Sequence, residues 1–135
     1  RILLKRFIIL CTRIAREKFS VSPEREKAFD MVRQFYVLVD NHFKEKKMVQ
    51  DYADMLHRSP KTLSNLFTTC GLPSPLRIIH ERIEAEAKRL LLYSQKSAKE
   101  ITEILGFEDQ ATFSRFFKKM TGESVSEYRK REKRE

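Results

Sequence analysis

An all-α fold is predicted by three observations. The 135 residues include only 3 Gly and 4 Pro, too few for the many tight turns of an all-β fold. Apolar residues recur at helical spacing, and no stretch keeps the alternation of a strand. Ser–Pro pairs, capping-box spacings and isolated glycines fall where helices should start and stop. With 41% hydrophobic residues, the chain can bury one ordinary core or two very small ones.

The elements follow in order. Residues 2–18 form an amphipathic helix in which Leu3, Phe7, Leu10 and Ile14 step by four, three and four, the spacing of a coiled-coil seam. That seam suits a homodimer or packing on another domain. The chain starts at Arg1 without an initiator Met and reads as a fragment. Residues 2–11 are apolar and basic like the start of a signal peptide, but Lys5 and Arg6 interrupt them and no small-residue cleavage site follows. Residues 19–24 read as a linker. A helix over 24–44 carries Ala28, Met31, Val32, Phe35, Leu38, Val39 and Phe43 on one face. Helix 48–57 follows, with Val49, Tyr52, Ala53 and Leu56. Ser59–Pro60 starts helix 60–70, with Leu63, Leu66, Phe67 and Cys70, and Gly71 ends it. Ser74–Pro75 opens a longer helix, 75–93, with Leu76, Ile79, Ile83, Ala87, Leu90 and Leu91. Short helices follow over 98–105, 110–120 and 125–131. Ser97 with Glu100, and Ser124 with Glu127, fit the capping box, Asp109 caps the middle one, and Gly106 and Gly122 are stop signals.

The sequence repeats itself fifty residues on. Leu63, Leu66, Phe67 and Cys70 correspond to Phe113, Phe116, Phe117 and Met120; Ser64 corresponds to Ser114, and the cap Ser59 to the cap Asp109. Each copy is a short helix, a tight turn and a second helix, that is, a helix-turn-helix. His57–Arg58 supply the first turn and Gly106 the second, where the connection is one residue longer. The outward face of the first copy's second helix carries Lys61, Thr62, Ser64, Asn65 and Thr68. Its counterpart carries Gln110, Ala111, Thr112, Arg115, Lys118 and Lys119. Neither face holds an acid beyond the cap Asp109. Such donors suit base edges near the helix start and phosphates further along.

Charge supports a polyanionic partner. The net charge is +9, concentrated at the two ends: residues 1–22 and 111–135 are basic, while 23–110 balance. The tail over 129–134, taken alone, reads as a solvated basic surface.

Residues 24–131 resemble the C-terminal DNA-binding domain of the AraC/XylS family of bacterial transcription regulators. Residues 101–122 match the family signature of Ile, then Gly106–Phe107, then Phe113–Ser114–Arg115 with Phe117–Lys118 and Gly122, followed by Tyr128–Arg129. Residues 59–67 with Gly71 and Ser74–Pro75 match the first motif, and Arg82–Ile83 with 87–91 match the connecting helix. The resemblance implies two helix-turn-helix subdomains, 48–70 and 98–120, joined by the helix 75–93 within one DNA-binding domain, 23–135. It implies that 60–70 and 110–120 are recognition helices entering successive major grooves, roughly 34 Å apart. It implies base contacts from Lys61, Thr62, Ser64 and Asn65, and from Gln110, Ala111, Thr112 and Arg115. Thr68, Lys118 and Lys119 become the phosphate contacts. The sequence departs from the family pattern at three positions: Asn65 stands where Arg is common, Thr102 where Ala is usual, and Val125 where Pro usually starts the last helix. These predict a weaker electrostatic contribution from the first recognition helix and looser packing in the second motif. Residues 1–22 resemble the last helix of the cupin-like sensor domain that precedes this module in many members. A small-molecule effector, if there is one, is thereby assigned to that domain, and RNA polymerase is the implied partner at the promoter.

The rival reading is an all-helical basic module that binds acidic proteins without reading DNA sequence. Catalysis is not expected. His42, His57, His80, Cys11 and Cys70 share no metal-ligand spacing, no cofactor motif appears, and Cys70 sits on a core stripe rather than at an exposed electropositive site. No apolar run approaches the roughly 18 residues of a membrane span, and two distant cysteines fit a reducing cytosol.

Overall fold

The computed structural model describes residues 23–133, which form seven helices with no strand among them. These are α1 (Pro23–His42), α2 (Val49–Met55), α3 (Pro60–Thr69), α4 (Pro75–Tyr93), α5 (Ala98–Ile104), α6 (Gln110–Thr121) and α7 (Val125–Lys133). The seam Leu3, Phe7, Leu10 and Ile14, with the whole of the 1–22 helix and linker, lies outside the described residues. Among those described, no helix is long and apolar enough to cross a membrane.

The helix starts are made by the expected side chains. The Ser59 and Ser74 hydroxyls accept the backbone N–H of Thr62 at 3.1 Å and of Arg77 at 3.2 Å. Ser97 and Glu100 close a full capping box, each accepting the other's backbone N–H at 3.1 Å. At α7 the box is only half made. Ser124 accepts the Glu127 N–H, but its hydroxyl donates to the Glu127 carboxylate at 3.0 Å, so that carboxylate leaves the Ser124 N–H alone. The start of α2 has no hydroxyl cap; Asp51 reaches back to the Met48 N–H at 3.3 Å.

The chain divides into two compact units, with the boundary after Ile79, inside α4. In the first, Phe35, fully buried, meets Phe67 edge-on at 5.0 Å between ring centres and Tyr52 at 5.5 Å, while Tyr36 stacks on Phe67 at 6.5 Å. The Tyr52 hydroxyl donates to the Lys46 carbonyl at 2.6 Å, tying the turn after α1 to this core. Burial, and then the nearby Asp51 and Glu45 carboxylates, push that phenol far above its usual range. In the second unit, Phe113 and Phe117 are fully buried, with Tyr128 packed edge-on against Phe117 at 5.4 Å. Leu63 and Phe67 therefore hold the same core positions as Phe113 and Phe117, as the repeat requires. Two apolar expectations are corrected. Cys70, like its counterpart Met120, is half-buried rather than core, because it lies on the last turn of its helix. Leu76 is 44% exposed, in the first turn of α4.

Thr102 does not loosen the second motif. It is 3% exposed, at the position of Ala53 in the first, and its hydroxyl donates to the Ala98 carbonyl at 2.7 Å. The added polar atom is satisfied within its own helix.

Candidate nucleic-acid interface

Each unit builds a helix-turn-helix on the same turn. After α2, the N–H of His57 meets the Asp54 carbonyl and that of Arg58 the Ala53 carbonyl at 2.9 Å. After α5, the N–H of Gly106 meets Glu103 and that of Phe107 meets Thr102 at 3.1 Å. Both are Schellman closures, which need a left-handed residue just past the helix. Gly106 takes φ +76° without a Cβ; His57 takes φ +56° with one. From that residue to the next helix cap, the second unit uses one residue more, as the sequence alignment of the copies predicts. The extra residue lets Phe107 turn inward, where it touches Phe113 at 5.3 Å and Phe116 at 5.4 Å.

The turn presents α3 in the first unit and α6 in the second. On α3, Lys61, Thr62, Ser64, Asn65 and Thr68 are all exposed, as predicted. Lys61, Ser64 and Asn65 make no side-chain hydrogen bond among the described residues. Two hydroxyls are already committed: Thr62 pairs with Ser59 at 2.8 Å, and Thr68 donates to the Ser64 carbonyl at 2.9 Å. On α6, Gln110, Ala111, Arg115, Lys118 and Lys119 are exposed and Thr112 is half-buried. Ala111 offers only a methyl group, which limits it to an apolar contact. The Thr112 hydroxyl donates to Asp109 at 2.8 Å and accepts from the Arg115 guanidinium at 3.4 Å. The Thr112 N–H and hydroxyl, and then the Arg115 charge, hold the Asp109 carboxyl below its ordinary range.

The two sets belong to different units and carry different charge. Neither helix contains an Asp or Glu. Lys61 is the one cation of α3, whereas α6 has Arg115, Lys118 and Lys119. Behind α6, His80 stands edge-on to Phe116 at 5.3 Å. Burial, and then the Lys119 charge, lower its pKa.

Two contributors escaped the sequence reading, the start of the basic tail and Asp109. Arg129, assigned to a solvated tail, is half-buried and donates to the Leu91 carbonyl at 3.1 Å and the Ser94 carbonyl at 3.5 Å. It thereby satisfies the open carbonyls at the end of α4. Arg131 pairs with Glu123 at 2.9 Å and lies over the Tyr128 ring. A basic run gives no local sign of a partner 38 residues away; the only signal was the Tyr128–Arg129 pair of the family signature. The second contributor, Asp109, was seen as a cap but not as a neighbour of Arg115. Elsewhere, Cys70, His57 and His80 are tied to helix ends, turns and ring packing, and among the described residues no His, Cys, Asp or Glu cluster could hold a metal.

Comparison with known proteins extends these observations. Residues 52–131 match the family described as a helix-turn-helix domain. The HTH-type transcriptional regulator YisR of Bacillus subtilis is 30% identical over 122 residues, covering 90% of this chain and 41% of its own length. The arabinose operon regulatory protein of Salmonella typhimurium is 36% identical over 92 residues, covering 68% of this chain and 31% of that protein. Among solved structures, the C-terminal domain of AraT, a response regulator from Geobacillus stearothermophilus, aligns with a TM-score of 0.67 at 29% identity, over 74% of this chain and 84% of that one. The DNA-binding domain of AdpA, solved in complex with a target DNA, shares the fold with a TM-score of 0.61 at 24% identity, over 70% of this chain and 86% of that one.

Proposed function

Because the chain belongs to the AraC/XylS family of helix-turn-helix transcription regulators, we propose that it binds promoter DNA sequence-specifically in the cytoplasm. The observation that carries this reading is the pair of equivalent helix faces, α3 and α6, exposed, free of acids and rich in donors. In this reading α3 and α6 enter successive major grooves. Lys61, Thr62, Ser64 and Asn65 meet bases from one helix, and Gln110, Ala111, Thr112 and Arg115 from the other. Thr68, Lys118 and Lys119 hold phosphates, which add affinity without sequence information. With their hydroxyls held by the caps, the Thr62 and Thr112 side chains contribute mainly a fixed methyl and one remaining lone pair.

The action is binding, not catalysis. Most of the matched relatives carry the names of regulators alone; the Bacillus subtilis AdaA, a bifunctional transcriptional activator and DNA repair enzyme, is 28% identical and is matched over 49% of its length. The chain spans 41%, 30% and 38% of the first three curated relatives it matches. The remaining roles therefore belong to the proposal: a sensor domain ahead of residue 23 with any effector site, dimerisation through Leu3, Phe7, Leu10 and Ile14, and contact with RNA polymerase.

The test is selection of randomised duplex DNA by this chain at near-physiological salt. Two enriched short boxes about one helical turn apart support the bipartite reader. Retention with no enriched sequence favours the basic protein-interaction module. Affinity for the selected duplex should fall steeply with salt, as phosphate contacts require.

A further inference from the structure

We propose that Asp109 is a positioning residue for base reading: through the Thr112 hydroxyl, it holds the Arg115 guanidinium for a guanine edge rather than a phosphate. This inference rests on the DNA-binding reading above.

The geometry is a three-membered chain on one face of α6. Asp109 Oδ1 accepts both the N–H and the hydroxyl of Thr112, each at 2.8 Å. The same hydroxyl accepts Arg115 Nη2 at 3.4 Å. The equivalent residues on α3 stop one member short. Ser59 and Thr62 pair at 2.8 Å, but Asn65, in the place of Arg115, makes no side-chain hydrogen bond among the described residues.

The cap alone does not call for an acid. Ser and Asp cap helices about equally well, and Ser59 satisfies the Thr62 N–H in the first unit. What Asp109 adds is a charge next to Arg115, and the carboxyl is held ionised by Thr112 and by Arg115 itself.

That charge has two consequences. A free Arg loses much rotamer freedom when it docks, whereas one already tethered at a single nitrogen loses less. The guanidinium keeps donors enough to span O6 and N7 of guanine. Second, the carboxylate offsets part of the Arg115 charge and repels phosphate, so it works against the non-specific use of the same side chain. Specificity rises by lowering the competing state as well as by favouring the intended one.

The experiment uses the 135-residue chain and the duplex it selects, against a random duplex of equal length. Asp109→Ser, which installs the cap of the first unit, should leave the helical circular dichroism and melting curve in place. It should cost about three- to tenfold in preference for the selected duplex, through a lost guanine preference at one position and an undiminished affinity for random DNA. Thr112→Val should do the same, and Thr112→Ser, which keeps the hydroxyl that links Asp109 to Arg115 but loses the methyl, should lose less of the preference than Thr112→Val. In the Arg115→Ala background, Asp109→Ser should have no further effect on preference. An equal loss in that background would mean that Asp109 acts without Arg115, and would overturn the proposal. So would unchanged preference in Asp109→Ser while the wild-type chain reads its duplex. A wild-type chain that selects no sequence overturns the DNA reading itself, and this inference with it.

Discussion

The first and second helix-turn-helix units share a scaffold and differ at its edges. Their cores correspond position by position: Leu63 and Phe67 in one, Phe113 and Phe117 in the other, all fully buried. Their turns close with the same hydrogen bonds, and their second helices each start with a side chain that caps the N–H of a Thr three residues on, Thr62 in one and Thr112 in the other. The outward faces diverge. The first has one cation and a neutral amide at position 65; the second has three cations, and Arg115 in the corresponding place. Burial constrains the inside of each copy because a core tolerates little change in volume. The outside is constrained only by what it must touch. Two copies that agree inside and disagree outside are the expected pattern for two readers of different sequences.

The largest effects should fall where the units agree. Phe67→Ala and Phe117→Ala each remove a fully buried ring from an aromatic cluster. Each should destabilise its unit by about 3–5 kcal/mol, a large part of the total for a small domain. Denaturant melts followed by circular dichroism measure both. Similar losses support equivalent cores; a loss confined to one unit would show that the other does not depend on its ring.

The next effects should separate the faces. Arg115→Asn, which gives the second helix the residue of the first, should lower preference for the selected duplex by about 1–3 kcal/mol. The reciprocal Asn65→Arg should raise affinity at low salt and steepen the salt dependence by roughly one unit of slope. Competition binding at several salt concentrations reads both. If Arg115→Asn weakened random and selected duplexes alike, Arg115 would be a phosphate contact and the assignment of base and phosphate roles on α6 would fail.

Much of this comparison was legible in the sequence, and the reasons are physical. Helix limits came through because local chemistry sets them: Pro75 and Tyr93 bound the connecting helix at the predicted positions, and Ser59, Ser97 and Asp109 cap where their spacing said they would. The exposed faces of α3 and α6 came through because core periodicity fixes their opposite. Contacts between distant segments did not. Arg129 reaches the end of α4 across 38 residues of sequence, and nothing local in a basic tail distinguishes a cap from a solvated charge. The tether from Asp109 to Arg115 was hidden for another reason: capping explained Asp109 fully, so nothing prompted a second role.

Smaller effects should follow from the turn. His57 occupies a left-handed conformation at φ +56°, which costs a side-chain-bearing residue about 1–2 kcal/mol. Glycine avoids that strain but loses about 0.5–1 kcal/mol through its freer unfolded chain. His57→Gly should therefore stabilise the first unit by less than about 1 kcal/mol. Gly106→Ala should destabilise the second by about 1 kcal/mol. Opposite signs in the two thermal melts would confirm that the turns are one structure built from different residues. Equal signs would mean that one of them relaxes into another turn.

The subtlest difference should appear on acidification. His80, half-buried against Phe116 and near Lys119, has its pKa lowered in the folded state. The unfolded chain therefore takes up this proton first, and the second unit should lose stability as pH falls from about 6.5 through the lower folded value. Asp109 is also depressed, by its bonds to Thr112 and the charge of Arg115, and Glu100 by its bonds to Ser97. For these carboxylates the stabilisation is present above their unfolded pKa values, about 4, and is lost as pH falls through the folded ones. The corresponding cap of the first unit, Ser59, has no charge to lose. Amide hydrogen exchange, corrected for intrinsic rates, should show α6 losing protection relative to α3 in two stages, one beginning just below neutrality and one below pH about 4. Parallel loss in both helices would mean that the units unfold as one, so that the weaker acid response of the first cannot be expressed. A His80→Phe variant should remove the first stage and leave the second, because the Glu100 and Asp109 carboxylates titrate through their own bonds to Ser97 and Thr112.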